Sequence, residues 1–239
     1  MNDVVFISDL HLHPDIPFLT ARFERWVLWA LENTRAVYIL GDFFHAWAGD
    51  DTLDDWSLGI AAMLRQFHEH HIPVYLMVGN RDFLLGQHFA DVAKVRMMNE
   101  PMAIELGHYH VLLVHGDRYC TRDTAHQWFR KLTRHPLFSR CFLTLPRALR
   151  VNIVCRVRMQ SQRRHLPDEK MAVVPEALGL DATRYAVDVI VHGHTHQPMR
   201  VQHQNDGRPF EQIVLSDWEE KVFVLCYNET EMFHYVEYC

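Results

Sequence analysis

The stretch Val4-Val5-Phe6-Ile7-Ser8-Asp9-Leu10-His11 sets the reading of the whole chain. Four apolar residues, three of them β-branched, make a short buried strand, and the polar residues that follow at once place an acid and an imidazole at its carboxyl end. The same unit recurs down the sequence. Val37–Leu40 runs into Gly41-Asp42, Val74–Val78 into Gly79-Asn80, Val111–Val114 into His115-Gly116, and Val187–Val191, through His192, into Gly193-His194-Thr195-His196.

Between the first three runs lie segments of helical period, carried by Leu19, Phe23, Trp26, Val27 and Ala30 and then by Trp56, Ile60, Met63, Leu64 and Phe67. Strands alternating with amphipathic helices predict an α/β sheet with helices on its faces. From Arg208 the character changes. Strand-like Gln212–Leu215, Val222–Tyr227 and Phe233–Tyr238 predict antiparallel strands that close the sheet on its C-terminal side. At 239 residues, 49% hydrophobic and 23% charged, the chain reads as a single domain over residues 1–239 with room for a sizeable core.

Residues 122–165 interrupt the alternation. Apolar and basic positions interleave there, with breaks near Pro136 and Pro146, and the pattern predicts two or three amphipathic helices inserted between two core strands. Charge sets the same region apart. Between Arg118 and Lys170 stand 13 Lys or Arg against three acids, whereas the remainder holds 11 basic and 27 acidic residues. The insertion is therefore expected to face something anionic, although a merely solvated helical hairpin would share the composition. The overall charge of -6 points to no nucleic-acid partner. Five cysteines without a C-x-x-C pair suggest neither a disulfide framework nor a thiolate zinc site, and suit a reducing cytoplasm. No apolar run approaches the ~18 residues of a membrane span, and no leader is evident.

The strand ends carry the chemistry. In an open α/β sheet, ligands gather just beyond the carboxyl ends of the strands, so residues far apart in sequence converge there. Asp9, His11, Asp42, Asn80, His115, His194 and His196 then meet in one crevice. A carboxylate on a tight turn, such as Asp42 after Gly41, can bridge two ions. Three oxygen-bearing and four nitrogen-bearing side chains without a thiolate suit Mn²⁺ or Fe²⁺ better than structural zinc. Each fragment alone is ordinary, since G-D and G-N are common turns; the ordered set of five is what carries the reading. Of the 18 histidines, His68, His70 and His71 read as surface residues and His108 and His110 as flanks of a hairpin turn. His192 reads as packed in a strand, and His13 and His45 as residues near the crevice, either surface groups or neighbours that orient the ligands.

The series D-x-H, G-D, G-N, H and G-H-x-H resembles that of the calcineurin-like dinuclear metallophosphoesterases, and the resemblance implies a four-layer α/β/β/α sandwich with the insertion as a helical lid. One departure narrows it. The common form follows G-N with a histidine, often assigned as general acid, whereas here Gly79-Asn80 is followed by Arg81-Asp82. A departing phosphate is already a stable anion, so an arginine that offsets charge can replace a proton donor. With Gly41–Phe44, Trp47–Asp51, Gly79–Leu84, His115–Asp117 and Ser216–Trp218, the chain is similar to the UDP-2,3-diacylglucosamine pyrophosphohydrolases of lipid A synthesis.

That resemblance implies attack on the α-phosphorus of the UDP-lipid, with release of UMP and 2,3-diacylglucosamine 1-phosphate. Two Mn²⁺ are implied, one at Asp9, His11, Asp42 and His196, the other at Asp42, Asn80, His115 and His194. Asp42, Asn80, Arg81 and His115 are the implied catalytic residues. Asn80, Arg81, Asp123, Ser161, Lys170 and His194 are the implied substrate contacts, with His126 where a tyrosine is expected and His45 where an acid is common. The insertion is expected to line a slot for acyl chains and to attach peripherally to the anionic cytoplasmic face of the inner membrane. Two rivals stand beside this reading: a phosphodiesterase or phosphomonoesterase on a soluble substrate, and a non-catalytic module whose metals brace a docking hairpin.

Overall fold

The computed structural model describes residues 1–163 and 172–238, the side chains of 162 and 163 excepted. Strand β1 (Val4–Ile7) leads through α1 (Pro17–Asn33) to β2 (Val37–Leu40), then α2 (Asp55–Glu69), β3 (Val74–Met77), α3 (Gln87–Ala93) and β4 (Arg96–Met98). A hairpin, β5 (Met102–Leu106) and β6 (Tyr109–Leu113), precedes three helices, α4 (Thr124–Thr133), α5 (Pro136–Leu143) and α6 (Arg147–Arg163). The chain continues through α7 (Pro175–Tyr185), β7 (Val189–His192), β8 (Met199–Asn205), β9 (Arg208–Val214), β10 (Val222–Asn228) and β11 (Met232–Tyr238).

The strands form two sheets. One has six strands in the order β11-β10-β1-β2-β3-β4, the other five in the order β5-β6-β7-β9-β8. Parallel pairing links β1 to β4 in the first and β6, β7 and β9 in the second. The expectation of one sheet closed by the C-terminal strands is corrected here. Strands β8 and β9 belong to the second sheet, and β10 and β11 extend the first beside β1. Local pattern tells a strand from a helix, but which sheet accepts it depends on partners distant in sequence.

Three apolar layers follow from strand alternation. Val5 and Ile7 face α1 to α3 and meet Phe23, Trp26, Phe67 and Phe89. Val4 and Phe6 face the other way, onto Val111, Leu113, Val189, Val191 and Ile213 between the sheets. On the far side, Leu112 and Ile190 pack on Leu178 and Ala182 of α7. The result is the expected α/β/β/α order. Pro136 starts α5 and Pro146 immediately precedes α6, where a missing N–H costs no helical bond.

Helices α4 to α6 lie between β6 and β7, and they are tied down by arginine. Arg150, 2% exposed, donates from α6 to the carbonyls of Ala48 and Leu145 and pairs with Asp51. Arg118, Arg130, Arg134 and Arg158 also point inward. The basic residues of this stretch thus do two jobs, because a large part of the positive charge answers buried carboxylates and backbone carbonyls of the chain itself. His68, His70 and His71 are exposed, whereas His108 lies in the β5–β6 turn and His110 within β6 rather than beside the turn.

Candidate metal centre

The carboxyl ends of β1, β2, β3, β6 and β7 open onto one crevice, and those of β1, β2 and β7 present their ligand candidates by the same device. Immediately past the strand the backbone turns left-handed at Asp9 (φ 55°), His11 (φ 51°), Asp42 (φ 51°), His194 (φ 69°) and His196 (φ 58°). Non-glycine residues seldom adopt this region, and such strain clusters at functional sites. Bonds between loops hold the turns. Asp9 N donates to Gly41 O at 3.1 Å, His11 N to Asp42 O at 3.1 Å, and His194 N to Asp9 Oδ2 at 2.8 Å. Two glycines allow the loops this near: a Cβ at Gly79 would collide with the Asp42 carboxylate, and one at Gly193 with Asp9 and Ser8.

Around this frame the side chains converge. His196 Nε2 lies 3.4 Å from Asp9 Oδ1, and His11 Nε2 lies 3.5 Å from Asp42 Oδ2. On the other side of Asp42, His115 Nε2 is 3.6 Å from Oδ1 and 2.9 Å from Asn80 Oδ1. The His194 ring stands 5.1 Å from that of His115, and the His11 ring 4.9 Å from that of His196. The two oxygens of Asp42 therefore face two separate nitrogen groups. Donor atoms of Asp9, His11 and His196, and again of Asp9, Asp42 and His115, lie within 4.8 Å of one another.

The chemistry of these groups fits cations. Asp9 Oδ1 and both ring nitrogens of His11 are buried without a hydrogen bond, which is costly for groups that nothing else satisfies. Burial by itself would raise the Asp42 carboxyl, but the charge of His115, the His11 imidazole 3.5 Å away and the charge of Arg81 hold it well below the usual range. Asp9 is likewise held low against its burial, chiefly by His196. Burial pushes His194 down to about 3, which keeps its imidazole neutral and ready to donate a lone pair. His115 supports its ring from behind, with Nδ1 bonded to Leu40 O at 2.9 Å.

Several buried acids escape a reading of the strand ends. Asp82, fully buried, accepts from Gly79 N at 2.7 Å, Phe43 N at 2.8 Å and Phe44 N at 3.2 Å. It staples the Asp42 loop to the Asn80 loop. Burial, with the nearby Asp42 charge, raises its carboxyl to about 6. Asp117 pairs with Arg130 at 3.0 Å and stands 3.5 Å from His126 Nε2. The runs Gly79–Leu84 and His115–Asp117 contain these acids, but their partners come from other elements. His13 and His45 pack ring on ring at 5.3 Å, His13 Nδ1 accepts from Asp15 N, and His45 N donates to Leu12 O. His192 is fully buried, with Nδ1 bonded to Gly193 O at 2.8 Å, as expected of a packed residue.

A cavity of about 930 Å³ opens from the cluster. Asp42, Asn80, Arg81, Asp123, Ser161 and His194 are among its polar lining, and Arg158 joins them, lowered to about 10 by burial and by the charge of Arg81. Phe83, Phe129, Phe138, Phe142, Ile153 and Val157 are among its apolar lining. Lys170 lies outside the described residues. Arg158 was recoverable from helical spacing, because Arg150, Val154, Arg158 and Ser161 fall on one face of α6.

A two-sheet sandwich that brings acid, amide and imidazole groups together for paired cations defines a metallophosphoesterase. Residues 3–198 match the calcineurin-like phosphoesterase family, and the chain belongs to it. A UDP-2,3-diacylglucosamine hydrolase of Xanthomonas axonopodis pv. citri is 40% identical over 230 residues, covering 92% of this chain and 93% of that protein. Proteins of the same name from Pseudomonas putida and Pseudomonas paraeruginosa are 38% and 40% identical, over 95% and 93% of both chains. The family implies a dinuclear metal site, for which the cluster supplies candidate ligands.

Proposed function

We propose that the chain hydrolyses the pyrophosphate bond of UDP-2,3-diacylglucosamine at the α-phosphorus, giving UMP and 2,3-diacylglucosamine 1-phosphate in lipid A synthesis. The observation that carries this reading is the make-up of the cavity: metal-binding and polar groups line it together with a cluster of aromatic side chains in which Phe83 meets Phe129 and Phe138. Such a cavity suits a phosphate-bearing lipid. The aromatic cluster argues against a small soluble phosphoester, and the relatives named for the UDP-lipid support the same choice.

In this reading Asp9, His11, Asp42 and His196 hold one Mn²⁺, and Asp42, Asn80, His115 and His194 hold the other. When bound, the pair supplies Lewis acidity toward the phosphoryl oxygens and the attacking water. The chain does the rest. Asp42 and Asn80 set the spacing of the two halves, and Arg81, whose Nε lies 3.1 Å from Asp42 Oδ2, places a permanent positive charge beside the reacting phosphates. Asp123, Ser161, His194 and Lys170 contact the substrate, and the insertion is the helical lid over residues 122–165. Hydrolysis in ¹⁸O water tests the assignment: label in UMP is expected, and label in the lipid phosphate places the attack at the wrong phosphorus.

No described helix is long and apolar enough to cross a membrane. The insertion instead offers a peripheral contact with the cytoplasmic face of the inner membrane. Trp128 is 74% exposed, with Leu132, Leu137, Leu149 and Met159 also outward, beside exposed Arg122, Lys131, Arg140, Arg147 and Arg156. Each such cation contributes about 1 kcal/mol near an anionic surface. Trp128→Glu is therefore expected to weaken cosedimentation with phosphatidylglycerol vesicles several-fold while leaving turnover in detergent micelles near wild type. Added salt should weaken the wild-type association steeply, and salt-independent binding would contradict the electrostatic part.

A further inference from the structure

Beside the candidate metal centre, Glu100 joins three segments of the chain. Its side chain is 4% exposed. Oε1 accepts the backbone N–H of His115 at 3.1 Å, and Oε2 accepts Nη2 of Arg130 at 2.9 Å and lies 3.5 Å from Nη2 of Arg134. Each arginine reaches further. Arg130 Nε donates to Asp117 Oδ1 at 3.0 Å, two residues past His115, and Arg134 Nη2 donates to Val78 O at 2.9 Å, two residues before Asn80. The acid, Arg130 of α4 and Arg134 at its C-terminal cap thus grip the chain on both sides of the pair His115 and Asn80, whose side chains meet at 2.9 Å.

None of the three is among the described residues that line the cavity. Nor is such a buried network in itself a sign of a stability role, since well-packed apolar residues of similar volume commonly serve a core as well as a buried ion pair does. What an apolar replacement cannot supply is direction. The planar guanidinium groups bind in fixed geometry, so the carbonyl of Val78 and the amide of His115 are each held at a set place relative to Glu100.

We propose that Glu100, acting through Arg130 and Arg134, is a positioning residue that fixes the separation of the His115 and Asn80 loops and so sets the affinity of the second cation site. The inference rests on the assignment of His115 and Asn80 as ligands made above. It also makes α4 part of the frame of the metal centre, so that the helix bearing Phe129 of the cavity lining and the loops bearing the ligands form one unit.

The test is a titration of metal-free protein with Mn²⁺ by calorimetry, with the bound ions followed by electron paramagnetic resonance, which distinguishes a spin-coupled pair from isolated ions. Glu100→Gln keeps an oxygen for the His115 amide but removes the charge that holds both arginines. One Mn²⁺ is expected to bind with wild-type affinity and the other about 10–100-fold more weakly, the usual cost of losing a partner that orients a ligand. The coupled spectrum should fade at equal metal, and kcat should fall with KM held. Arg134→Met should reproduce the effect through Val78 and Arg134→Lys restore part of it; should Glu100→Gln fail to fold by circular dichroism, this pair of variants decides the matter alone. Two wild-type affinities in a folded Glu100→Gln overturn the proposal. His115→Ala, titrated alongside, separates the causes: if it loses a site while Glu100→Gln does not, only the positioning role fails, and if it too binds two ions as wild type does, the ligand assignment fails first.

Discussion

Asp42→Ala is expected to abolish measurable release of UMP. Loss of a group that merely orients a ligand costs about 10–100-fold in metal affinity or activity, and Asp42 is more than that. Its Oδ2 faces His11 at 3.5 Å and its Oδ1 faces His115 at 3.6 Å, so both halves of the cluster lose the same partner at once. The carboxylate also accepts the backbone N–H of Arg81 at 2.8 Å, so its removal frees the Asn80 loop as well. Metal analysis of the purified variant should find fewer than two ions per chain. Full activity with two ions retained would remove the bridging role, and with it the dinuclear reading. Asn80→Ala offers the contrast, because its oxygen meets only the His115 side of the cluster.

Arg81→Ala tests a different quantity. A preorganised charge aimed at the developing anion contributes about 3–4 kcal/mol, or roughly 10²–10³ in kcat. The loss should appear in kcat, with both ions still bound, because Arg81 supplies charge and not a lone pair. Its ion pair with Asp42 makes the outcome informative. Were that pair its main duty, the variant would lose metal or thermal stability instead of turnover. Arg81→Lys is expected to recover part of the rate, since the charge returns without the planar fork. Single-turnover kinetics with metal content measured on the same sample decides between the two.

The strand-end candidates were legible because two kinds of information coincide there: a buried β-branched run fixes where a strand stops, and the next two or three residues must then face the crevice. Asp9, His11, Asp42, Asn80, His115, His194 and His196 all converge as that argument requires. Glu100, Asp82 and Asp117 were not legible. Their partners are backbone amides and arginines from other parts of the chain, and a lone acid has no period that marks it as buried. The division of β8 to β11 between two sheets was hidden for a similar reason, since strand pairing is a long-range choice. Charge misled in one respect. A count of cations in the insertion shows a surplus, but only packing shows that Arg130, Arg134 and Arg150 spend it inside the molecule.

The mirror-handed backbone at Asp9, His11, Asp42, His194 and His196 sets two selective pressures against each other. For folding alone, glycine or asparagine would sit at these places with less strain, by on the order of 1–2 kcal/mol each. The acids and imidazoles persist against that gradient only while the chemistry needs them. A descendant released from catalysis would be expected to drift toward glycine at these turns before its core changed at all, keeping the architecture and growing sturdier as its enzymatic past was erased.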